Sequence, residues 1–291
     1  MKQPNFDAIW AGMGRQTSLD HIERFQNEEG GEDYRVWKIR SGDHTYVLKE
    51  AKGQEIATYH GFFQNPVPYA PALLATLETD DGSYLLLEYI SGKNLRNCSR
   101  DALISVLDAL IAMQKKWWLA SDPGTGYDFE KTLSGRKNRL HYLEDPHLES
   151  AYELFLAEYQ RVPKTLCHDD LLPFNVLRSG QNAVFIDWEY GGILPYPVSL
   201  VRFLAHCEEK DGAFFYMKEA DKAFAVQYYY DHLIQEMGID YWEYLKTIRL
   251  FWLYEFCEWV YVGNKFGNTE SDRFREYFQK AKALASELVS V

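Results

Sequence analysis

Short runs of β-forming residues dominate the first ninety positions of the chain. The runs DYRVWKIRS and HTYVLKE meet at Ser41-Gly42-Asp43, a turn sequence that predicts a β-hairpin. The nearly continuous apolar run SYLLLEYI predicts a further strand. Between these runs, GQEIATYHGFFQN has a helical pattern that ends where the prolines of PVPYAP begin. Residues 1–90 are therefore expected to form a small β-rich lobe with one helix.

Beyond position 91, apolar residues recur mostly at helical spacing. SRDALISVLDALIAMQKKWW has apolar residues at i, i+3 and i+4, and Ser99 or Asp101 is placed to cap the helix. One hairpin interrupts this part, because NVLR and NAVFID flank the turn Ser179-Gly180-Gln181. We expect a mainly helical lobe over residues 91–291. Its further helices are predicted across 128–160, 197–208, 217–237, 241–262 and 270–289.

Composition and charge narrow the possible partners. The 291 residues are 46% hydrophobic and 25% charged, which is typical of a globular chain. The net charge of −12 disfavours nucleic acid and anionic membranes as partners and is compatible with cationic ligands. Four cysteines without a C-x-x-C pair disfavour a zinc ribbon or a disulfide framework. Without a recognisable signal peptide or a long apolar span, we expect a cytoplasmic protein.

Candidate chemistry is concentrated around the second hairpin. His168-x-Asp170 is followed by Asn175 and, at the end of the return strand, by Asp187. Two carboxylates and an amide oxygen are hard ligands suited to Mg²⁺ carrying phosphate, and a carboxylate facing an alcohol can accept its proton during phosphoryl transfer. Any one of these residues could simply form a turn. The complete set favours a phosphoryl-transfer site.

The first lobe offers a second group of candidates. Lys49 closes the strand TYVLK, and Glu55 near the start of the next helix is placed to reach it, although a lone lysine is more often at the surface. NEEGGEDY lies between two β-like runs, where a phosphate-covering loop is expected. Gly30 and Gly31 would allow close backbone approach, but the four acidic residues of this stretch would repel phosphate.

H-x-D-x-x-x-x-N followed by FIDWEY resembles the aminoglycoside phosphotransferase and choline kinase superfamily of protein-kinase-like small-molecule kinases. The resemblance covers nearly the whole chain: YVLKE is similar to the ATP-lysine strand, QEIATYHGFFQNPVP to the helix carrying its glutamate, and YLLLEYISGKNL to the hinge. It implies an α+β, protein-kinase-like fold, with a nucleotide-binding lobe over 1–90, a catalytic lobe over 91–291 and a hinge near Glu88–Gly92.

This resemblance implies an enzyme that uses ATP and Mg²⁺. Asp170 corresponds to the catalytic base, Asn175 and Asp187 to the Mg²⁺ ligands, and His168 to a structural histidine. Two positions depart from the family pattern. Asp169 replaces a small residue or Asn, and Ser199 lies near the place of an aspartate that braces the catalytic loop. The residues that the resemblance and the glycine pair assign to the nucleotide are Lys49, Glu55, Glu88, Tyr89, Ile90, Gly30 and Gly31.

The substrate is expected to be a small alcohol, and an aromatic segment of the second lobe supplies candidate residues to bind it. In YWEYLKTIRLFWLYEFCEWVYVG, helical spacing puts rings and carboxylates on shared faces, an arrangement that binds organic cations, although aromatic stripes are also common in cores. DWEY and DRFREYFQKAKAL look more like the choline kinase branch, so a cationic, choline-like amino alcohol is expected. Aminoglycosides are the alternative, and a catalytically silent kinase-like binding protein is the non-enzymatic one. The predicted substrate residues are Tyr190, Glu208, Phe251, Trp252, Tyr254, Glu255 and Trp259.

Overall fold

The structure, a computed structural model, describes residues 4–26 and 34–289, and within them the chain forms ten strands and nine α-helices. The strands are β1 (His21–Arg24), β2 (Val36–Ser41), β3 (His44–Glu50), β4 (Leu73–Thr79), β5 (Gly82–Glu88), β6 (Lys93–Asn94), β7 (Lys164–His168), β8 (Val176–Ser179), β9 (Asn182–Phe185) and β10 (Gly191–Pro195). The helices are α1 (Phe6–Gly12), α2 (Glu55–Phe62), α3 (Arg100–Lys116), α4 (Phe129–Leu140), α5 (Pro146–Arg161), α6 (Pro197–Ala205), α7 (Glu219–Tyr229), α8 (Tyr241–Phe266) and α9 (Asp272–Val289).

The first part of the chain is built on an antiparallel five-stranded sheet in the order β1-β2-β3-β5-β4. The predicted β2–β3 hairpin is present, with Ser41 opposite His44 and Gly42 at a φ of +58°. One face of the sheet packs on α1, where Trp10 joins a cluster that includes Leu48. Because side chains alternate along a strand, the next residue, Lys49, points to the opposite face, toward α2.

The second part is mainly helical, as predicted, and the α+β class is confirmed. A large core of helix residues surrounds two small antiparallel sheets, β7–β10 and β6-β8-β9. The candidate chemistry lies in the segment that leaves β7 and in the short turn after β9. Both segments therefore begin from buried strands, which hold them in place.

Several elements differ from the sequence-based expectations. The first lobe has a second helix, α1, and two strands that were not predicted, β1 and β4. The predicted helix 128–160 is two helices, because Asp145 caps α5 and Pro146 occupies its first turn. The helix predicted to end at 262 extends to Phe266, where Gly267 adopts a left-handed conformation that ends it. No helix in the described ranges is long and apolar enough to cross a membrane.

Candidate active site

His168, the last residue of β7, organises the loop that follows. Its Nδ1 accepts a hydrogen bond from the Asp170 backbone N–H at 3.2 Å, so Nε2 carries the proton and donates to the Ile186 carbonyl at 2.9 Å. The ring is fully buried, and burial lowers the pKa of His168. A neutral histidine thus connects the loop after β7 to the turn after β9, which is a structural role.

Ser199 on α6 supports the same loop from another side. Its Oγ accepts a hydrogen bond from the His168 backbone N–H at 2.8 Å and donates to the His168 carbonyl at 3.3 Å. Ser199 itself is completely buried. A hydroxyl group therefore provides the bracing contact at the position where the family pattern has an aspartate.

The acidic residues and the asparagine of the motif are brought together. Asn175 donates from Nδ2 to the Asp170 carbonyl at 2.8 Å and to the Asp170 Oδ2 at 3.2 Å. The backbone N–H of Ile186 donates to the Asn175 carbonyl at 2.9 Å, which places the following Asp187 beside the loop. Asp187 has a φ of +65°, a left-handed conformation that a residue other than glycine adopts rarely. This conformation marks a tightly constrained turn after β9.

Lys49 connects the sheet to this turn. Its Nζ lies 2.7 Å from the Glu55 Oε2 and 2.5 Å from the Asp187 Oδ1. Burial alone would lower the pKa of Lys49, but the two carboxylates outweigh it and raise the pKa above its usual range. For Asp187, partial desolvation by the surrounding protein acts to raise the pKa, and the Lys49 charge outweighs it, so the pKa is lowered. The buried Lys49 side chain is thus positively charged.

The other predicted nucleotide residues lie where β5 leaves the sheet. The Glu88 backbone N–H donates to the Ala72 carbonyl at 2.9 Å, and the Tyr89 ring lies 4.8 Å from the Lys38 ammonium. Ile90 follows and is half-buried. Gly30 and Gly31 lie outside the described residues.

Two arginines that sequence reasoning missed hold the two adjacent aspartates. Arg136 from α4 donates to both oxygens of Asp169, at 2.7 and 2.9 Å, and the Tyr127 hydroxyl donates to the same carboxylate. The Arg136 guanidinium also lies over the rings of Tyr159 and Tyr254, 4.6 and 4.7 Å from their centroids. Asp169 is therefore the counterion of a buried arginine, which explains a carboxylate at this position.

Arg202 from α6 pairs with the neighbouring carboxylate. Its Nη2 lies 2.7 Å from the Asp170 Oδ1, and its Nη1 lies 2.9 Å from the Glu255 Oε2. Arg202 follows Ser199 by three residues, so both side chains lie on the face of α6 that meets the loop after β7. That i, i+3 spacing is the one signal in the sequence that could have identified it.

The predicted substrate residues do not form one cluster. Tyr190 is 40% exposed, and its ring packs edge-on against Tyr127, whose hydroxyl contacts Asp169. Glu255 reaches the catalytic loop through Arg202. Tyr190 and Glu255 therefore both lie in the neighbourhood of the candidate base.

The remaining predicted substrate residues are engaged in contacts with other side chains of the protein. Phe251 and Tyr254 are buried against Phe155, with ring centroids 5.2 and 4.7 Å away. Glu208 and Trp252 line a separate pocket of about 500 Å³, in which Glu208 pairs with Lys280 at 2.6 Å. Trp259 lies under the guanidinium of Arg273, at 4.5 Å.

The chain is similar to known phosphotransferases. A model of the phosphotransferase enzyme family (APH) matches residues 25–230. No curated protein matches the chain. Among solved structures, an aminoglycoside phosphotransferase from Alicyclobacillus acidocaldarius is 12% identical with a TM-score of 0.60, covering 100% of this chain and 98% of the other. A choline kinase from Cryptosporidium parvum is 17% identical with a TM-score of 0.57, covering 91% and 90%.

A choline/ethanolamine kinase family protein from Mesorhizobium loti is 16% identical with a TM-score of 0.55, covering 98% of this chain and 95% of the other. At these identities the likeness is one of fold, and it confirms the predicted protein-kinase-like architecture.

Proposed function

Because the chain belongs to the phosphotransferase enzyme family (APH) and is a small-molecule kinase, we propose that it transfers the γ-phosphoryl group of ATP to a hydroxyl group of a small molecule. The observation that carries this proposal is the meeting of Lys49, Glu55 and Asp187 next to the loop of Asp170 and Asn175. A purely structural role would not require a buried charged lysine that connects a sheet, a helix and a second lobe. Since ATP is its donor, we place the enzyme in the cytoplasm.

ATP is proposed to bind with its phosphates at Lys49 and its adenine near Glu88–Ile90. Lys49 is held by Glu55, so its ammonium group is already positioned for a phosphate oxygen. The same ammonium now contacts Asp187, and a phosphate would compete for it.

Asn175 and Asp187 fit a magnesium ion that arrives with the nucleotide. Among residues 4–26 and 34–289, no group of three or more His, Cys, Asp or Glu side chains could hold a metal ion. Mg²⁺ bound to a nucleotide needs only one or two protein oxygens, because phosphates and waters supply the others. The Asp187 side chain is 45% exposed beside Lys49, and Asn175 bonds the loop through its nitrogen. Bound Mg²⁺ would neutralise charge developing on the phosphates.

Asp170 is proposed to act as the base. A hydroxyl placed against its carboxylate gives its proton to Asp170, its oxygen forms the new bond to phosphorus, and the bond from phosphorus to the ADP oxygen breaks. Asn175 and Arg202 hold the two carboxylate oxygens in a fixed orientation. The carboxylate therefore does not have to be ordered when the acceptor binds.

The acceptor is proposed to be a small alcohol that carries a positive charge. The net charge of −12 favours cations, and the exposed ring of Tyr190 offers a face for one beside the catalytic loop. Choline-like amino alcohols and aminoglycosides both meet this description. A catalytically silent binding protein is disfavoured because Lys49, Asp170, Asn175 and Asp187 are all present.

A coupled assay of ADP release tests the proposal. The purified protein is incubated with ATP, Mg²⁺ and a panel containing choline, an aminoglycoside, a neutral sugar and a hydroxy acid. We expect turnover with at least one alcohol and none with the Asp170→Asn variant, while both proteins still bind ATP in a thermal-shift assay. Turnover confined to neutral or anionic alcohols would exclude the cationic acceptor and leave the kinase assignment intact.

A further inference from the structure

Arg202 contacts the carboxylate that the proposed function uses as its base, and it belongs to none of the family motifs. We propose that Arg202 is a specificity-determining residue that selects against a positive charge next to the reacting hydroxyl. The inference rests on the proposed role of Asp170, because only a hydroxyl bound there is brought close to this guanidinium.

The two oxygens of the Asp170 carboxylate have different partners. Oδ1 accepts from the Arg202 Nη2 at 2.7 Å and from its Nε at 3.3 Å, whereas Oδ2 accepts from the Asn175 Nδ2 at 3.2 Å. The side chains of Arg202 and Asp170 are 23% and 28% exposed, so both lie at the open rim of the site. A hydroxyl bound to either oxygen therefore has the guanidinium as a close neighbour.

Arg202 is also bound by Glu255 of α8. Its Nη1 donates to the Glu255 Oε2 at 2.9 Å, and the His206 Nε2 lies 3.0 Å from the same oxygen. The other ring nitrogen of His206 lies 2.9 Å from the Tyr277 hydroxyl on α9. Burial would raise the pKa of Glu255, but the Arg202 charge and the His206 hydrogen bond bring it down to about 2. The ionised Glu255 thus fixes the guanidinium against Asp170.

This arrangement sets the local charge. Asp170, Glu255 and Arg202 together carry −1, and without the guanidinium the same site would carry −2. An ammonium group on the carbon next to the one that bears the reacting hydroxyl would come close to Arg202. Like charges at such a distance, partly shielded from water, are expected to cost about tenfold or more in binding. The proposed role of Arg202 therefore disfavours choline-like amino alcohols, whose ammonium lies on the carbon next to the hydroxyl-bearing one, and favours a proposed acceptor whose cationic group lies further from the hydroxyl.

The test compares three alcohols that share a two-carbon skeleton. We would measure kcat/KM for 2-aminoethanol, ethylene glycol and glycolate, which carry charges of +1, 0 and −1 beside a primary hydroxyl. In Arg202→Met, the ratio of kcat/KM for 2-aminoethanol to that for glycolate should rise at least tenfold. A residue with only a structural role would lower all three values and leave the ratio unchanged.

Two further variants separate charge from geometry. Arg202→Lys keeps the charge but cannot hold Asp170 and Glu255 with one planar fork, so kcat should fall for all acceptors while the ratio stays within about threefold of wild type. Arg249→Met is the matched control, because this arginine of α8 pairs with Glu287 away from Asp170 and should change neither quantity. If Arg202→Met does not fold, Arg202→Gln keeps a hydrogen-bond donor for Asp170 and Glu255 while removing the positive charge, and the same ratio should still rise.

The outcomes distinguish this proposal from the proposed function. Turnover by the wild type, with an unchanged ratio in a folded variant that lacks the Arg202 charge, overturns the role of Arg202 alone. No ATP turnover by the wild type, with any alcohol of either panel or with water, overturns the proposed function and this inference with it. A rise in the ratio that is absent from Arg202→Lys and Arg249→Met supports the inference.

Discussion

The buried pair of Asp169 and Arg136 offers a direct test of what stabilises the loop after β7. The Arg136 side chain is 2% exposed and that of Asp169 is 9% exposed, so water cannot replace either partner. Replacing Asp169 with alanine removes two hydrogen bonds from Arg136 and the acceptor of the Tyr127 hydroxyl. Breaking a buried ion pair on one side costs about 3–5 kcal/mol, because the remaining charge is left uncompensated. We expect Asp169→Ala to lower the free energy of unfolding by about this amount.

The two aromatic rings next to Arg136 limit the loss of stability. Tyr159 and Tyr254 remain next to the guanidinium, and each cation–π contact continues to contribute about 0.5–2 kcal/mol. Asp169→Asn retains the side-chain volume and one acceptor oxygen, so it should cost less, about 1.5–3 kcal/mol. The double variant Arg136→Met/Asp169→Asn should be more stable than the sum of its single variants implies, with a coupling free energy of about 1–3 kcal/mol.

Urea unfolding at pH 7, followed by tryptophan fluorescence and circular dichroism, measures these differences. Asp80→Asn is the matched control, since Asp80 is exposed in the β4–β5 turn and its substitution should change the free energy by less than about 0.5 kcal/mol. A loss below about 1 kcal/mol in Asp169→Ala, or a coupling near zero, would refute the view that the loop depends on this buried pair.

Three further predictions concern the nucleotide site and acid stability. Lys49→Met should abolish turnover and lower stability, and Lys49→Met/Glu55→Gln should recover the stability but not the turnover, as coupled ADP release and urea unfolding would show. Asp187→Asn should abolish Mg²⁺-dependent ATP affinity, whereas Asp170→Asn should keep ATP affinity and lose transfer; equal loss of affinity by calorimetry in both would contradict these roles. The pKa of Glu255 is lowered from about 4.5 in the unfolded chain to about 2 in the folded protein, so the ionised carboxylate stabilises the fold above pH 4.5. On the order of 3 kcal/mol of the free energy of unfolding should be lost as the pH falls from about 4.5 to 2. Glu255→Gln should flatten that part of an acid titration.

Much of the fold is predictable from the sequence because its signals are local. Both hairpins have a glycine at the turn, and the helices of the second lobe repeat apolar residues at helical spacing. Among the elements that were missed, β4 does have such a signal, because Asp81-Gly82 joins it to β5, whereas β1 has none. In β1, His21–Arg24, one residue of four is partly buried and the others are exposed, so its pairing with β2 is decided by the sheet and not by its own pattern.

The candidate site divides in the same way. The sequence predicts Asp170, Asn175 and Asp187 from one short stretch, because their residue types and spacing are typical of a phosphoryl-transfer site. Arg136 could not be identified in this way, since α4 carries the closely spaced bases Arg136, Lys137 and Arg139 and the sequence does not indicate which of them is buried. Only the fold, which brings α4 beside the loop 33 residues later, distinguishes it from its neighbours.

The paired arginines also change what the net charge of −12 implies about the substrate. A global excess of carboxylates attracts cations to the protein as a whole, but binding depends on the charges that meet the ligand. Asp169 is neutralised by Arg136, and Arg202 lies between Asp170 and Glu255, so the loop proposed to receive the acceptor has far less free negative charge than the chain as a whole. The acidic composition therefore favours the approach of a cation, while the proposed role of Arg202 would limit where on a cationic acceptor the positive charge can lie.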